Sequence, residues 1–437
     1  MYYKSLFEQI KDELADRVEI LEEYSDNGQY YIKITIKPKD INICPSCNST
    51  EIIKFGKKER CIKDDYISNR TTFIHIQYNR LKCKKCLRLF NDSIPYIDGN
   101  KSISLALKLN VIEDLRQDVS FTYIASKRNI SIQTVIDIFE TYINYERNPF
   151  GDVLCMDEFK NLKHSNGKYA FVIYDPNTHK IIDILEDRLQ AHIDDYLYKI
   201  DWKEKDKVKY IVTDMSESYR SIIKRHFRNA THVIDCFHYF QYVEKAFNDV
   251  RIRIQKKYSQ DSKEYRILKR YWRILSTYCI DVEGESLYNP IRKKSTSVEQ
   301  IITDATSLDD ELLEAYEITQ DFINSVKSLK YEDASTWIDT FITSLKESKC
   351  AEFNDLAGMF INWKAEIINS FIRFGDKRLH NGYLEGMNNK IKVIKRIAYG
   401  YTNFYHFRNR IMHIVNEENF KIKIIDKTKI KRKKRKK

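Results

Sequence analysis

The chain lacks any apolar run long enough to cross a membrane as a helix. Its opening residues, MYYKSLFEQIKDELADR, lack an apolar signal core. It also lacks an even set of cysteines: the nine present do not suit a fully paired secreted framework. These absences lead us to expect a reduced, cytoplasmic protein with no membrane partner. Proline is missing after Pro290 and glycine is missing from Leu287 to Leu356, as a largely helical region requires. The body of the chain lacks net charge as well. Of the total of +12, the last 17 residues, Lys421 to Lys437, carry +10. The other 420 residues carry only about +2. A run such as KIKRKKRKK cannot pack and is predicted to be disordered. Its natural counter-charge is nucleic acid, with an anionic membrane as the weaker alternative.

Residues 1–40 read as a short helix, Lys4–Leu14, followed by a strand, Tyr30–Ile36, closed by Pro38. A zinc-binding module is predicted over 41–95. Its Cys44-Pro-Ser-Cys47 and Cys83-Lys-Lys-Cys86 each bring two thiolates round one turn, and two such knuckles complete a tetrahedron for one structural Zn²⁺. The 35 intervening residues exceed the usual ribbon spacing and read as strands. The competing reading is two redox pairs or unrelated thiols. Cys61 has no partner at this spacing and is left out of the ligand set. Lys82, Lys84, Lys85 and Arg88 make the surrounding surface basic.

Over 100–147 the period becomes helical. SFTYIASKRNISIQTVIDIF reads as helix, tight turn, helix, with Asn129-Ile130 in the turn and Ser131 as an N-cap. Gln133 and Thr134, with Asp137, fall on the exposed face of the second helix, and Lys127 and Arg128 are expected near a phosphate. Many helical hairpins share this pattern, so DNA reading competes with plain packing.

From Gly151 the pattern turns to strands. Val153–Met156 ends at Asp157-Glu158, Tyr169–Tyr174 and Ile181–Leu185 follow, and Gln190–Tyr198 is helical. Then VKYIVTDMSESYRSIIKRHFRNATHVIDCFH reads as strand, helix, strand, with Asp214 and Asp235 just past the apolar residues. Carboxylates held at strand ends suit hard metal ions, although most Asp residues there are turn and cap residues. Three strands in a meander, then helix, strand, helix, strand is the order of a ribonuclease H-like α/β domain. In that order the first and fourth strands are neighbours, so Asp157 and Asp214 are expected to meet. Residues 239–372 read as an all-α insertion. In NGYLEGMNNKIKVIKRIAYGY, Glu385, Asn388, Asn389, Lys392 and Arg396 share one helical face, and Gly400 can end the helix. That face suits a metal ligand beside DNA phosphates. An ordinary solvated face is the alternative.

Taken in order, the two C-x-x-C pairs, the helix-turn-helix, CMDEF, VTDMSESY, DCFH and LEGMNNKIKVIKRIAYGYTNFYHFRNRI resemble the ISL-three group of bacterial insertion-sequence transposases over nearly the whole chain. The resemblance implies a multidomain α+β protein. It has a zinc ribbon-like module, a helix-turn-helix (100–147), and a ribonuclease H-like catalytic core in two parts, 150–238 and 373–420. A large all-α insertion (239–372) separates those parts, and a basic tail (421–437) follows. It implies reading of double-stranded terminal inverted repeats and cutting with strand transfer by a DDE triad of Asp157, Asp214 and Glu385. The triad holds two Mg²⁺ (or Mn²⁺) per active site. His238, paired with Asp235 in the D-x-x-H feature, is either an assistant that contacts DNA or the leaving strand, or a structural histidine. Synapsis of two ends implies a homodimer or larger, and the setting is nucleoid-associated. Two other classes compete: a transposase-derived DNA-binding regulator without activity, and another ribonuclease H-like nuclease.

Overall fold

Two long strands joined by a two-residue turn organise the N-terminal part of the computed structural model, which describes residues 6–8, 18–36, 43–91, 102–375, 377–398 and 401–416. The predicted Lys4–Leu14 helix lies mostly outside the described residues, as do Gly400 and the basic tail. The chain divides into two compact units, one of residues 1–146 with 390–437 and the other of 147–389.

In the first unit, β1 (Val18–Asp26) and β2 (Gln29–Ile36) form a hairpin. Its turn residues Asn27 and Gly28 both have positive φ, 47° and 75°, the conformation that a two-residue turn demands. Next come β3 (Ile52–Ile67), β4 (Arg70–Cys83) and the short β5 (Leu89–Asn91). The strand order is β1-β2-β4-β3, with β5 paired to the end of β4. Alternation in β2 and β4 sends Ile32, Ile34, Ile74 and Ile76 to one face, where they pack with Leu6 and Ile62. Three helices follow, Leu105–Asp114, Phe121–Lys127 and Ile132–Tyr142, closed around Val111, Leu115, Ile124, Val135 and Phe139.

The second unit holds a five-stranded sheet in the order β10-β9-β6-β7-β8. β6 (Val153–Lys160), β7 (Tyr169–Asp175) and β8 (Lys180–Leu185) form an antiparallel meander. β9 (Tyr210–Thr213) lies parallel to β6, and β10 (Thr231–Ile234) lies parallel to β9. Helices Gln190–Tyr198 and Glu217–His226 bury Ile193, Leu197, Ile222 and Ile223 with Leu154, Met156 and Phe171 of the sheet. The long helix Cys236–Gln255 then leads into a helical region whose core joins Tyr239, Phe247, Phe322, Phe341 and Phe360.

That region is not all-α. Ser286–Asn289 and Lys294–Ser297 form an antiparallel hairpin within it, and Arg373–Phe374 pairs with Lys377–Arg378 just after it. Neither hairpin carries a long period-2 apolar run, which is why helical periodicity alone passes over them. The helix Gly382–Ile397, which bears Glu385, contributes its first half to the second unit.

Candidate active site and metal centre

The four predicted thiols meet. Cys44 Sγ lies 3.6 Å from Cys86 Sγ, and Cys47 Sγ lies 3.6 Å from Cys83 Sγ. All four sulfurs lie within 4.8 Å of one another. A disulfide is about 2.05 Å long. A tetrahedron with Zn–S of about 2.3 Å has edges of about 3.8 Å. The observed spacing is that of a metal tetrahedron. Both knuckles turn through a left-handed residue just after the second cysteine, Asn48 (φ 55°) and Leu87 (φ 57°). Main-chain N–H groups point at the sulfurs: Ser46 and then Cys47 pull the Cys44 thiol down to about 6 against its burial. Cys83 is lowered mainly by the Cys86 N–H. Both shifts favour the thiolate that zinc needs, while at Cys47 the Ser49 N–H is outweighed by burial and the hydrogen bonds to the other three thiols, which push it up to about 12. Cys61 stands apart on β3, opposite His75.

The turn between the second and third helices is as expected. Asn129 has φ 50°, and Ser131 caps the Thr134 N–H at 3.1 Å. Gln133 is exposed and donates to Asp137 at 2.8 Å, while Thr134 is half-buried. The two cations are committed elsewhere. Lys127 pairs with Asp114 at 2.7 Å. Arg128 is 7% exposed and bonds both Asp65 and Asp114. Its guanidinium therefore joins β3 to the helix Leu105–Asp114. Lys392 and Arg396 are exposed.

In the second unit the parallel register pairs Val153 with Tyr210 and Cys155 with Val212. Two residues further on, Asp157 is level with Asp214. Asp157 does not sit past its strand, as the apolar run suggests. β6 continues to Lys160 because β7 goes on pairing with it, and it is the parallel neighbour β9 that stops at Thr213. Asp157 therefore borders the space beyond the end of β9. Burial and then the charge of Asp214 push its carboxyl up to about 6, against the N–H of Glu158 and the amide of Asn388. Asn388 Nδ2 donates to Asp157 Oδ2 at 2.8 Å. The Asn388 Oδ1 is buried and has no partner among the described residues.

Glu385 is exposed and lies three residues before Asn388, on the same helical face. The three carboxylates do not close to within 4.8 Å of one another. A site for two ions about 3.5–4 Å apart is wider than that. His238 Nε2 bonds Asp214 Oδ1 at 2.5 Å. Burial lowers the His238 pKa, but that bond and the Asp214 charge outweigh it, and the net shift is upward. Glu158 faces away: it accepts from Tyr219 Oη at 2.6 Å and pairs with Arg188.

Sequence reasoning placed Asn388 beside Glu385 but not on Asp157. It set Asp235 at a strand end and beside His238, but not its partners: the carboxylate accepts from the Phe237 and Asn381 N–H groups. The cap on Phe237 has a sequence signal, an Asp just before a helix; the second partner, 146 residues away, has none.

A sequence model of a family described as "Transposase", of the ISL3 DDE type, matches residues 154–411. The chain is 22% identical over 403 residues to the "Transposase for insertion sequence element IS1001" of Bordetella parapertussis, covering 90% of this chain and 93% of that protein. A shorter stretch of 97 residues is 34% identical to an "ATP-dependent protease" of Lactococcus lactis subsp. lactis, covering 22% of this chain and 28% of that one.

Proposed function

Because this chain belongs to the ISL3 transposase family and is a DNA transposase of an insertion sequence, we propose that Asp157, Asp214 and Glu385 form its strand-cutting and strand-joining site. The observation that carries this reading is the pairing of Asp157 with the Asn388 amide, one turn from Glu385, beside an Asp214 level with it on the neighbouring strand. The fold is then a ribonuclease H-like core interrupted by a mostly helical insertion.

The donor set suits hard cations: carboxylate oxygens, those of Asp157 with their proton affinity raised by burial and then by the charge of Asp214, next to a buried amide oxygen with no partner among the described residues. Asp157, Asp214 and Glu385 would hold Mg²⁺ or Mn²⁺, which would supply charge relief on the entering and leaving oxygens. The protein's own groups hold the geometry. Asn388 fixes the rotamer of Asp157, and His238 fixes that of Asp214 and puts a proton on its Oδ1 side. Water attack on a phosphodiester frees a 3′-hydroxyl, and that hydroxyl attacks target DNA in the same site, so no protein nucleophile is required.

In the first unit Cys44, Cys47, Cys83 and Cys86 would hold one structural zinc. The helix Ile132–Tyr142 presents Gln133 and Thr134 to duplex ends in helix-turn-helix fashion. Lys392, Arg396 and the tail add phosphate contacts, and two ends are brought together by a dimer or larger assembly. The test is cleavage of a labelled end substrate with and without Mg²⁺. Asp157→Ala, Asp214→Ala and Glu385→Ala should each lose activity by several orders of magnitude while still binding ends. Glu158→Gln should stay active. Full activity in any of the three alanine variants would falsify the triad.

A further inference from the structure

Asp235 is 8% exposed and sits where three elements of the second unit meet. Its N–H donates to the Thr213 carbonyl at 3.1 Å, at the residue before Asp214. Its carbonyl accepts the His238 N–H at 3.2 Å. Its Oδ1 accepts the Phe237 N–H at 3.2 Å and so caps the helix Cys236–Gln255. Its Oδ2 accepts the Asn381 N–H at 3.1 Å. The Asn381 carbonyl in turn accepts from Leu384 N at 2.8 Å and Glu385 N at 3.3 Å. The Asn381 side chain is buried and its amide atoms have no hydrogen-bond partner among the described residues. The turn is therefore held at this point through its main chain.

We propose that Asp235 is a positioning residue whose two carboxylate oxygens do separate work: one caps the helix bearing His238, and the other clamps the turn that delivers Glu385 to the site. This rests on the active-site reading above. The physical need is clear. The chain leaves the sheet at β10 and returns only after the helical region, so its return point has to be set by a contact across that gap. A buried charge-assisted bond to a main-chain N–H is short and directional, and it fixes backbone independently of side-chain identity. A path of hydrogen bonds then runs from the Thr213 main chain through the Asp235 main chain and carboxylate to the Asn381 main chain and on to the Glu385 N–H.

The rival account is that Asp235 is a helix cap and nothing more. Asparagine separates the two, because it caps as well as aspartate but has a single acceptor oxygen. With that oxygen on Phe237, its NH₂ group faces the Asn381 N–H, donor against donor. Asp235→Asn should therefore keep a near wild-type melting temperature. Amide hydrogen exchange at Asn381 and Glu385 should accelerate at least tenfold, as read by mass spectrometry on the metal-free protein. The Mg²⁺ concentration for half-maximal cleavage should rise about tenfold, and cleavage at saturation should fall by up to about 10²-fold, the cost of an ångström-scale misplacement.

Asp235→Ser, also a single-oxygen cap, should behave the same way and serves if the asparagine variant does not fold. Wild-type exchange and wild-type Mg²⁺ demand in these variants overturn the proposal. Unfolding of both overturns the division of labour, since a retained cap would then not suffice. Glu385→Ala is assayed alongside. If it cleaves normally the triad reading fails, while the exchange measurement still judges the clamp.

Discussion

Asn388 and Asp157, 231 residues apart in sequence, are joined by a 2.8 Å hydrogen bond from the amide Nδ2 to the carboxylate Oδ2. The bond fixes one oxygen of Asp157, and Asn388 Oδ1 is left buried with no partner among the described residues. Asn388→Ala should free the Asp157 rotamer and lower Mg²⁺-dependent nicking about tenfold. Asn388→Asp sets a second negative charge against Asp157 and should lower it further, because like charges at this range raise each other's proton affinity. Nicking rates of the two variants at matched Mg²⁺ give the comparison, and equal rates would remove Asn388 from the site.

Zinc is expected at one ion per chain. Native mass spectrometry should show it retained in Cys61→Ser and lost in Cys83→Ser, because only the second removes a corner of the tetrahedron. Loss in both variants would mean that the ligand set is wrong.

Acid should loosen the first unit through His413. This side chain is fully buried; Nε2 donates to the Ile112 carbonyl at 2.9 Å and Nδ1 accepts from Tyr145 Oη at 2.7 Å. That arrangement suits a neutral ring, and burial holds its pKa down at about 4. The unfolded chain takes up the proton near pH 6.5, so the fold is the poorer proton binder. The contribution is full above pH 6.5, is lost as pH falls towards 4, and is then constant. Its size is on the order of 3 kcal/mol. His413→Gln cannot titrate, so its urea midpoint should fall less than the wild type's between pH 7 and pH 4.5. Parallel falls would sink this assignment.

Arg128 and Gln133, five residues apart, should fail in different ways. Arg128→Ala takes the cation from buried Asp65, leaves Asp114 with Lys127, and should cost about 3–5 kcal/mol of stability. Gln133→Ala should leave the melting temperature alone and erode discrimination among end sequences, since its side chain is exposed. Removal of Lys429–Lys437 should flatten the salt dependence of DNA binding without changing that preference. Competition binding at two salt concentrations, with melting curves, separates the three.

Local patterns determined much of this protein. Each C-x-x-C knuckle brings its two thiols together because a knuckle is a property of one turn of chain. Ser131 and Asn129 mark a cap and a turn because both act on backbone within a few residues. Apolar alternation and the order of strands and helices placed β6 beside β9, and with them Asp157 beside Asp214. The polar face around Glu385 was legible at helical spacing. Tertiary structure alone decided which long-range partners these residues meet. Arg128 looked like a surface cation but is buried, because Asp65 on β3 and Asp114 on another helix enclose it. Asp157 looked like a strand end, yet β7 prolongs its strand while β9 stops. The hairpin Ser286–Asn289/Lys294–Ser297 interrupts a region whose composition is helical. Asp235 carried a visible cap, but its second oxygen finds Asn381 across the whole helical region. No periodicity of 2 or 3.6 encodes a contact at that separation; the packing of the intervening core sets it.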